Sequence, residues 1–272
     1  MNNLNVTSNA VYVDTVLSKE VIRAANPMFK LEPTVWRYDQ EAKQGGAIDV
    51  PLLSNGVAND KIKNLPVSLQ SPTEGKITVA IDQHKETSYL IENILQLQGN
   101  QDFRKLYTEV AATALAKARD ASIAEQASGF SQTKGSYNNA ITADVILDSV
   151  LLLDLADAPE EDRTFAFHPG VKRDLLDLAV YTSLDYVNGR PTETGKTGNI
   201  YGAKTVSTTQ IVKSGTSTNN MLYHKQAIIL AVAQDIKVRY SDKLEYLGVL
   251  LVADEIYGVK EARDTFGVLI KT

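Results

Sequence analysis

The stretch from Asn100 to Gly129 constrains the fold more than any other part of the chain. Phe103, Leu106, Tyr107, Val110, Ala114, Ala118 and Ala121 recur at steps of three and four, the spacing that lines one face of a helix. Asn100 suits an N-cap, Asp102 puts negative charge in the first turn, and Gly129 suits a stop. At 1.5 Å per residue such a helix is about 40 Å long, well beyond the usual soluble helix. Arg104, Lys105, Glu109, Lys117, Arg119, Asp120 and Glu125 interrupt it, so it is not a membrane span. Its a and d positions are not kept apolar over several heptads, which argues against a coiled-coil seam. The expected buried face starts aromatic and ends in alanine, so another element can approach its second half closely. One long helix with strand-rich sequence on both sides predicts a spine against which sheets are laid, and an α+β fold.

The flanking sequence supports that reading. Val11 to Ala25 has the periodicity of a short amphipathic helix, ended by Asn26-Pro27. Met28 to Gln40 carries the only tryptophan, Trp36, near Tyr38, and the natural role for it is a core or subunit-contact anchor. Gly46 to Leu53 and Lys76 to Asp82 read as strands. The intervening Ser54 to Gly75 is polar, too long for a tight turn and too poor in large apolar residues to bury itself. It predicts a protruding two-stranded arm, which is marginal alone and makes sense lying on a neighbouring subunit.

Tyr89 to Leu97 is a second apolar stretch, strand or short helix. Beyond the spine, Thr142 to Ala156 predicts a helix with Val145, Ile146, Val150 and Leu153 on one face, ended by Pro159. Thr164 to His168 reads as a buried strand, Val171 to Val180 as a helix, Thr182 to Gly198 as a polar loop, and Asn199 to Val206 as a strand. Ser214 to Asn220 reads as a flexible tip, and Lys225 to Asp235 as a compact apolar stretch. From Ile236 onward the sequence is β-like, in the short runs 237–240, 249–252, 256–257 and 268–270. Gly258 and Gly267 suggest bends or close packing there.

The chemistry of the chain is notable for what it excludes. With 272 residues, 43% hydrophobic and 22% charged, it has the composition of an ordinary globular protein of one or two domains. A net charge of −5 argues against a dedicated nucleic-acid binder. Without cysteine there are no disulfides and no thiolate ligands. No basic and apolar N-terminal leader is present, and no apolar run reaches membrane-spanning length.

Gly189-Arg-Pro-Thr-Glu-Thr-Gly195-Lys196-Thr197 looks like a phosphate-binding loop, but five residues separate its first glycine from the Gly-Lys pair where four are needed. Nor does a buried strand precede it, so a solvated polar loop is the better account. His84, His168 and His224 are dispersed, without metal-ligand spacing. The acidic group Asp154, Asp157, Glu160, Glu161 and Asp162 lacks the regular spacing of a calcium loop and reads as a solvated helix end. No catalytic, cofactor-binding or metal-binding constellation emerges.

The order of parts carries a resemblance. Ile77-Thr-Val-Ala-Ile leads through Tyr89-Leu-Ile-Glu-Asn-Ile to the spine, with its Leu106-Tyr107-Thr-Glu-Val110 and Ala118-Arg119-Asp120. Leu153-Asp154 and Ala158-Pro159-Glu-Glu-Asp-Arg163 precede the strand Thr164 to His168, Pro169 and Leu175-Leu176. Gly198-Asn-Ile-Tyr-Gly202, Tyr223-His-Lys-Gln-Ala227 and Ile256-Tyr-Gly-Val-Lys260 follow. From about Gly46 onward this resembles a tailed-bacteriophage major capsid protein of the Hong Kong 97-type fold.

The resemblance implies an N-terminal arm at 1–40, an extended loop at 41–80, a peripheral domain from 81–139 and 236–272 containing the spine, and an axial domain at 140–235. It implies a non-enzymatic protein without cofactors that forms hexamers and pentamers closing into an icosahedral shell. That shell, assembled in the host cytoplasm and part of the virion, would enclose double-stranded DNA through weak non-specific contact, in keeping with the acidic balance. A portal and a separate scaffolding protein are expected partners, because Met1 stands almost directly at the arm; a membrane is not. Expected subunit-interface residues are Trp36, Tyr38, Lys61, Lys63, Arg190 and Lys196. Some relatives join Lys to Asn across subunits, but Lys61 and Lys63 read first as solvated loop lysines. The alternatives are an encapsulin-type compartment, which usually has a helix in place of the long N-terminal arm, and a nucleotide-binding enzyme using Gly189 to Thr197.

Overall fold

The computed structural model describes residues 3–4, 29–39, 46–53, 58–64, 66, 69, 74–92, 103–178 and 198–272. The helix expected over 11–25, the Asn100 cap, the second half of the 89–97 stretch and the Gly189 to Thr197 loop, with Arg190 and Lys196, lie outside these residues.

The strands form three sheets. The first has the order β1 (Asn3–Leu4), β5 (Gln83–Glu92), β13 (Gly248–Glu261), β12 (Ile228–Lys243), β2 (Trp36–Tyr38). The second runs β6 (Gln132–Gly135), β14 (Gly267–Lys271), β11 (Ser217–His224), β7 (Arg163–Phe167), β9 (Ala203–Ser207), β8 (Asn199–Ile200), with β10 (Lys213–Ser214) paired to β11. The third is the hairpin of β3 (Ala47–Leu53) and β4 (Glu74–Ala80), in register from Ala47–Ala80 to Leu53–Glu74. The second sheet thus draws on residues 132–135 and 267–271 as well as on the segment between 163 and 224.

Three helices complete the described fold: α1 (Phe103–Glu125), α2 (Ala143–Leu155) and α3 (Pro169–Asp177). Among the described residues α1 is the longest, at 23 residues or roughly 35 Å, and it runs on into a 3-10 turn at Gln126–Gly129. It packs on β13, β5 and β12. α2 begins where Thr142 caps the Val145 N–H, and buries Ile146, Ser149 and Leu153. α3 begins at Pro169, with His168 Nδ1 accepting from the Gly170 N–H at 3.1 Å.

The spine differs from expectation in its rotation. Ala114 and Val110 are exposed, and Ala118 and Ala121 are only half-buried. The buried positions are Ala111, Leu115, Ala116, Arg119, Asp120, Ile123 and Ala124. The face is turned because a charged pair, which an apolar pattern assigns to solvent, points inward. The aromatic start meets β5 and β13: the Tyr107 ring lies 5.3 Å from that of Tyr89, and its cluster includes Leu251 and Ala253.

The β-like tail also differs from expectation. The short runs 237–240, 249–252 and 256–257 belong to two long strands, β12 and β13, paired from Ile228–Glu261 to Lys243–Gly248, with register shifts near Gln234. The large core lies between the second sheet and its helices, and includes Ile123, Phe130, Ile146, Phe165, Phe167, Leu175, Met221, Tyr223 and Tyr257. Close packing at the glycines is as expected: a Cβ on Gly258 would run into the Ala80 carbonyl, and one on Gly267 into the Phe130 ring.

Candidate assembly interface

The segment 29–39 is a strap held to the spine by charge. Asp120 accepts the backbone N–H groups of Lys30 at 2.8 Å, Leu31 at 3.2 Å and Glu32 at 3.3 Å. Its neighbour Arg119 has no solvent exposure and reaches three carboxylates. Nε donates to Glu255 Oε2 at 2.9 Å, Nη1 to Glu32 Oε2 at 2.9 Å, and Nη2 to Asp235 Oδ1 at 2.9 Å and also to Glu255. Arg37 extends the cluster to Glu32, to Asp39 at 2.6 Å and to Asp235 at 3.3 Å. Phe29 stacks 4.7 Å from the Arg119 guanidinium. One guanidinium thereby ties the strap, α1, β12 and β13 together. Deeper in, Thr34 Oγ1 sits 2.5 Å from the buried Tyr223 hydroxyl.

The cluster holds more carboxylates than cations, and its titration follows. Burial pushes Glu255 above the usual carboxylate range, against the pull of Arg119, and leaves its Oε1 buried without a hydrogen-bond partner. Burial likewise pushes Asp120 up, against its three backbone N–H donors. For Asp235 burial is outweighed by the Arg119 hydrogen bond and charge, which hold it below the usual range.

Around this cluster, surfaces are left open. Trp36 remains 37% exposed on the edge strand β2, 5.4 Å from the Tyr38 ring. It lines a groove of about 430 Å³ with Phe29, Pro33, Val35, Arg37 and Lys225. The two aromatic interface candidates come together, beside a rim that carries Glu32 as well as Arg37 and Lys225. Lys61 and Lys63 are exposed in the part of the arm beyond β3, where Ile62 and Leu69 are 64% and 94% exposed. The base of the arm is anchored, with Ile48, Val50 and Val79 packed on Ile229 and Ala231. Lys76 and Thr78 hydrogen-bond Asp49 across the hairpin, and together hold its carboxyl below the usual range.

The strap clamp was not foreseen from sequence. Its signal was charge inside otherwise apolar runs: Arg119-Asp120 amid alanines, and Asp254-Glu255 between Ala253 and Ile256. Two of the histidines have structural work: His168 caps α3, and His224 Nδ1 accepts from the Gln226 N–H at 3.3 Å. His84 is exposed, 3.6 Å from Asp254. Among the described residues no group of three or more His, Asp or Glu is placed to hold a metal ion.

No protein-family model and no curated protein matches the chain. Solved structures do. The chain is similar to a structure from Mycobacterium phage Che8, with a TM-score of 0.79 at 20% identity over 95% of this chain and 97% of that one. It is similar to the capsid structure of the cyanophage P-SCSP1u, with a TM-score of 0.75 at 17% identity over 94% and 91%. It is similar to the capsid of Ralstonia phage GP4, with a TM-score of 0.70 at 12% identity over 95% and 94%. At these identities the likeness is one of fold. It spans nearly the whole chain, and the α+β Hong Kong 97-type capsid fold is the fold of this protein.

Proposed function

We propose that the chain is the major capsid protein of a tailed bacteriophage, building an icosahedral shell from hexamers and pentamers around double-stranded DNA. The observation that carries this is the fold likeness to phage capsids over more than nine-tenths of both chains. A second feature agrees: the outer part of the arm, Trp36 and much of α2 present apolar surface that one copy leaves uncovered. In this reading 1–40 is an arm and 41–80 an extended loop, each laid on neighbouring copies. Residues 81–139 and 236–272 make the periphery, apart from β6 and β14, which complete the sheet of the segment 140–235 around the capsomer axis. Trp36, Tyr38, Lys61, Lys63, Arg190 and Lys196 lie at contacts between copies. A scaffold and a portal are further partners, and the acidic chain contains its DNA without gripping it.

Negative-stain microscopy of the purified protein tests the proposal. Capsomers or closed shells are expected, enclosing DNA when isolated from infected cells. A protein that stays monomeric at every concentration overturns it, and shells holding an enzyme cargo without DNA point to an encapsulin-type compartment instead.

A further inference from the structure

α2 is apolar nearly all round. Its inner side buries Ile146 and Leu153, yet Leu147, Leu151 and Leu155 stand 44%, 54% and 73% exposed in a stripe of four-residue steps along its outer side. A helix apolar on both sides is normally covered on both. α2 carries Asp144, Asp148 and Asp154 and no Lys or Arg; Lys134 pairs with Asp148 at 3.0 Å and Arg163 with Asp154 at 2.7 Å, but the exposed Asp157, Glu160 and Glu161 follow the helix and leave this side acidic on balance. Pairing it with the same face of another copy would set this acidic excess against itself, so the partner surface is a different one. α2 rests over β6, β14 and β11, at one edge of the second sheet. The opposite edge is the β8–β9 hairpin, about 24 Å away at five strand spacings, and it offers Tyr201, 42% exposed, with an exposed Lys204. One copy cannot bring its own two edges together.

Resting on the capsid reading, we infer that the outer face of α2 in one copy docks on the β8–β9 edge of the next copy of this chain, aromatic and lysine meeting leucine and aspartate. Because such a contact joins two different surfaces, each copy keeps one of each to offer, and with the rotation of a hexamer or pentamer successive copies close a ring.

The chain has no cysteine, so introduced thiols report cleanly. Assembled Leu155→Cys/Tyr201→Cys protein, treated with a short bismaleimide, is expected to give a ladder of linked copies on a denaturing gel. A mixture of the two single variants is expected to stop at dimers, and Leu155→Cys alone to stay monomeric. Linked dimers from Leu155→Cys alone, or no ladder from the double variant, overturn the inference.

A second arm uses Leu151→Ser/Leu155→Ser, which changes exposed positions and should keep the thermal midpoint. It is expected to weaken self-association about tenfold or more in sedimentation. Wild-type protein that never assembles sinks both this contact and the capsid reading. Normal shells from wild type and the serine variant alike sink the contact only.

Discussion

Arg119 is the residue whose removal the fold should tolerate least. A buried ion pair is weak evidence for stability, because both charges lose their water. Breaking one is different, since the survivors stay buried and uncompensated. Arg119→Met strands Glu255, which has no solvent exposure, and leaves the nearly buried Glu32 with Arg37 alone. A loss of about 3–5 kcal/mol in urea unfolding is expected. Arg119→Lys should recover only part of it, because one point charge cannot spread over three carboxylates as a guanidinium fork does. A lysine variant as stable as wild type would show that the fork is dispensable.

The same cluster sets a pH dependence. Glu255 and Asp120 have folded-state pKa values above their ordinary 4.5 and 3.8. In the window between ordinary and folded values the native state holds more protons, so their contribution is fully present below the ordinary values and is lost as pH rises through the folded ones. Asp235 has the opposite sign: its contribution is present above its ordinary 3.8 and is lost as pH falls through its lower folded value. Glu255→Gln removes the first titration. The difference in thermal midpoint, variant minus wild type, should therefore be largest near neutrality and shrink as pH falls toward about 4.5. Trp36, the only tryptophan and part of the strap, supplies the fluorescence readout. A difference constant with pH would remove Glu255 as the source.

At the scale of elements, much was legible. The spine, α2, the buried β7 strand and the β3–β4 arm follow from periodicity and turn chemistry, which are local. The spine's rotation was not legible, because Arg119 and Asp120 are buried by partners as far away as Glu32 and Glu255 in sequence. The continuity of β13 was hidden for the same reason: Asp254 and Glu255 read as an interruption until their partners are in place. Of the candidate interface, the unburied arm was readable, since a long polar segment cannot bury itself, whereas for Trp36 the sequence admits a core or a contact role alike. The clamp was not, since it exists only after folding.

The rotation changes which alanines matter. Ala124 is fully buried on the corrected face, so Ala124→Leu should overpack it and cost about 1–3 kcal/mol in urea unfolding. Ala114 is exposed, and Ala114→Leu should fall within about 0.5 kcal/mol of wild type. The reverse order would restore the face read from apolar spacing alone.

Across the whole molecule, the capsid reading has folding and assembly draw on different surfaces. The cores gather the second sheet, the spine and the paired β12–β13 strands, and among the described residues the arm adds to them through Ile48, Val50, Ile77 and Val79 at its base. Further out, Ile62 and Leu69 touch little of their own chain. If the arm exists for a neighbour, its tip can be removed without cost to the monomer. Leu53 and Glu74 face each other across the hairpin, so an Asn-Gly turn can replace residues 54–73 and close it directly. The shorter loop lowers the closure entropy, worth roughly 2 kcal/mol in favour of folding, so the thermal midpoint should hold or rise. Assembly should fail, leaving folded monomers or small oligomers in sedimentation and no shells under the microscope. Normal shells from this variant would mean that the copies are held by other surfaces, with the arm tip a passenger; a lower melting point would mean that the arm belongs to the fold of the single chain.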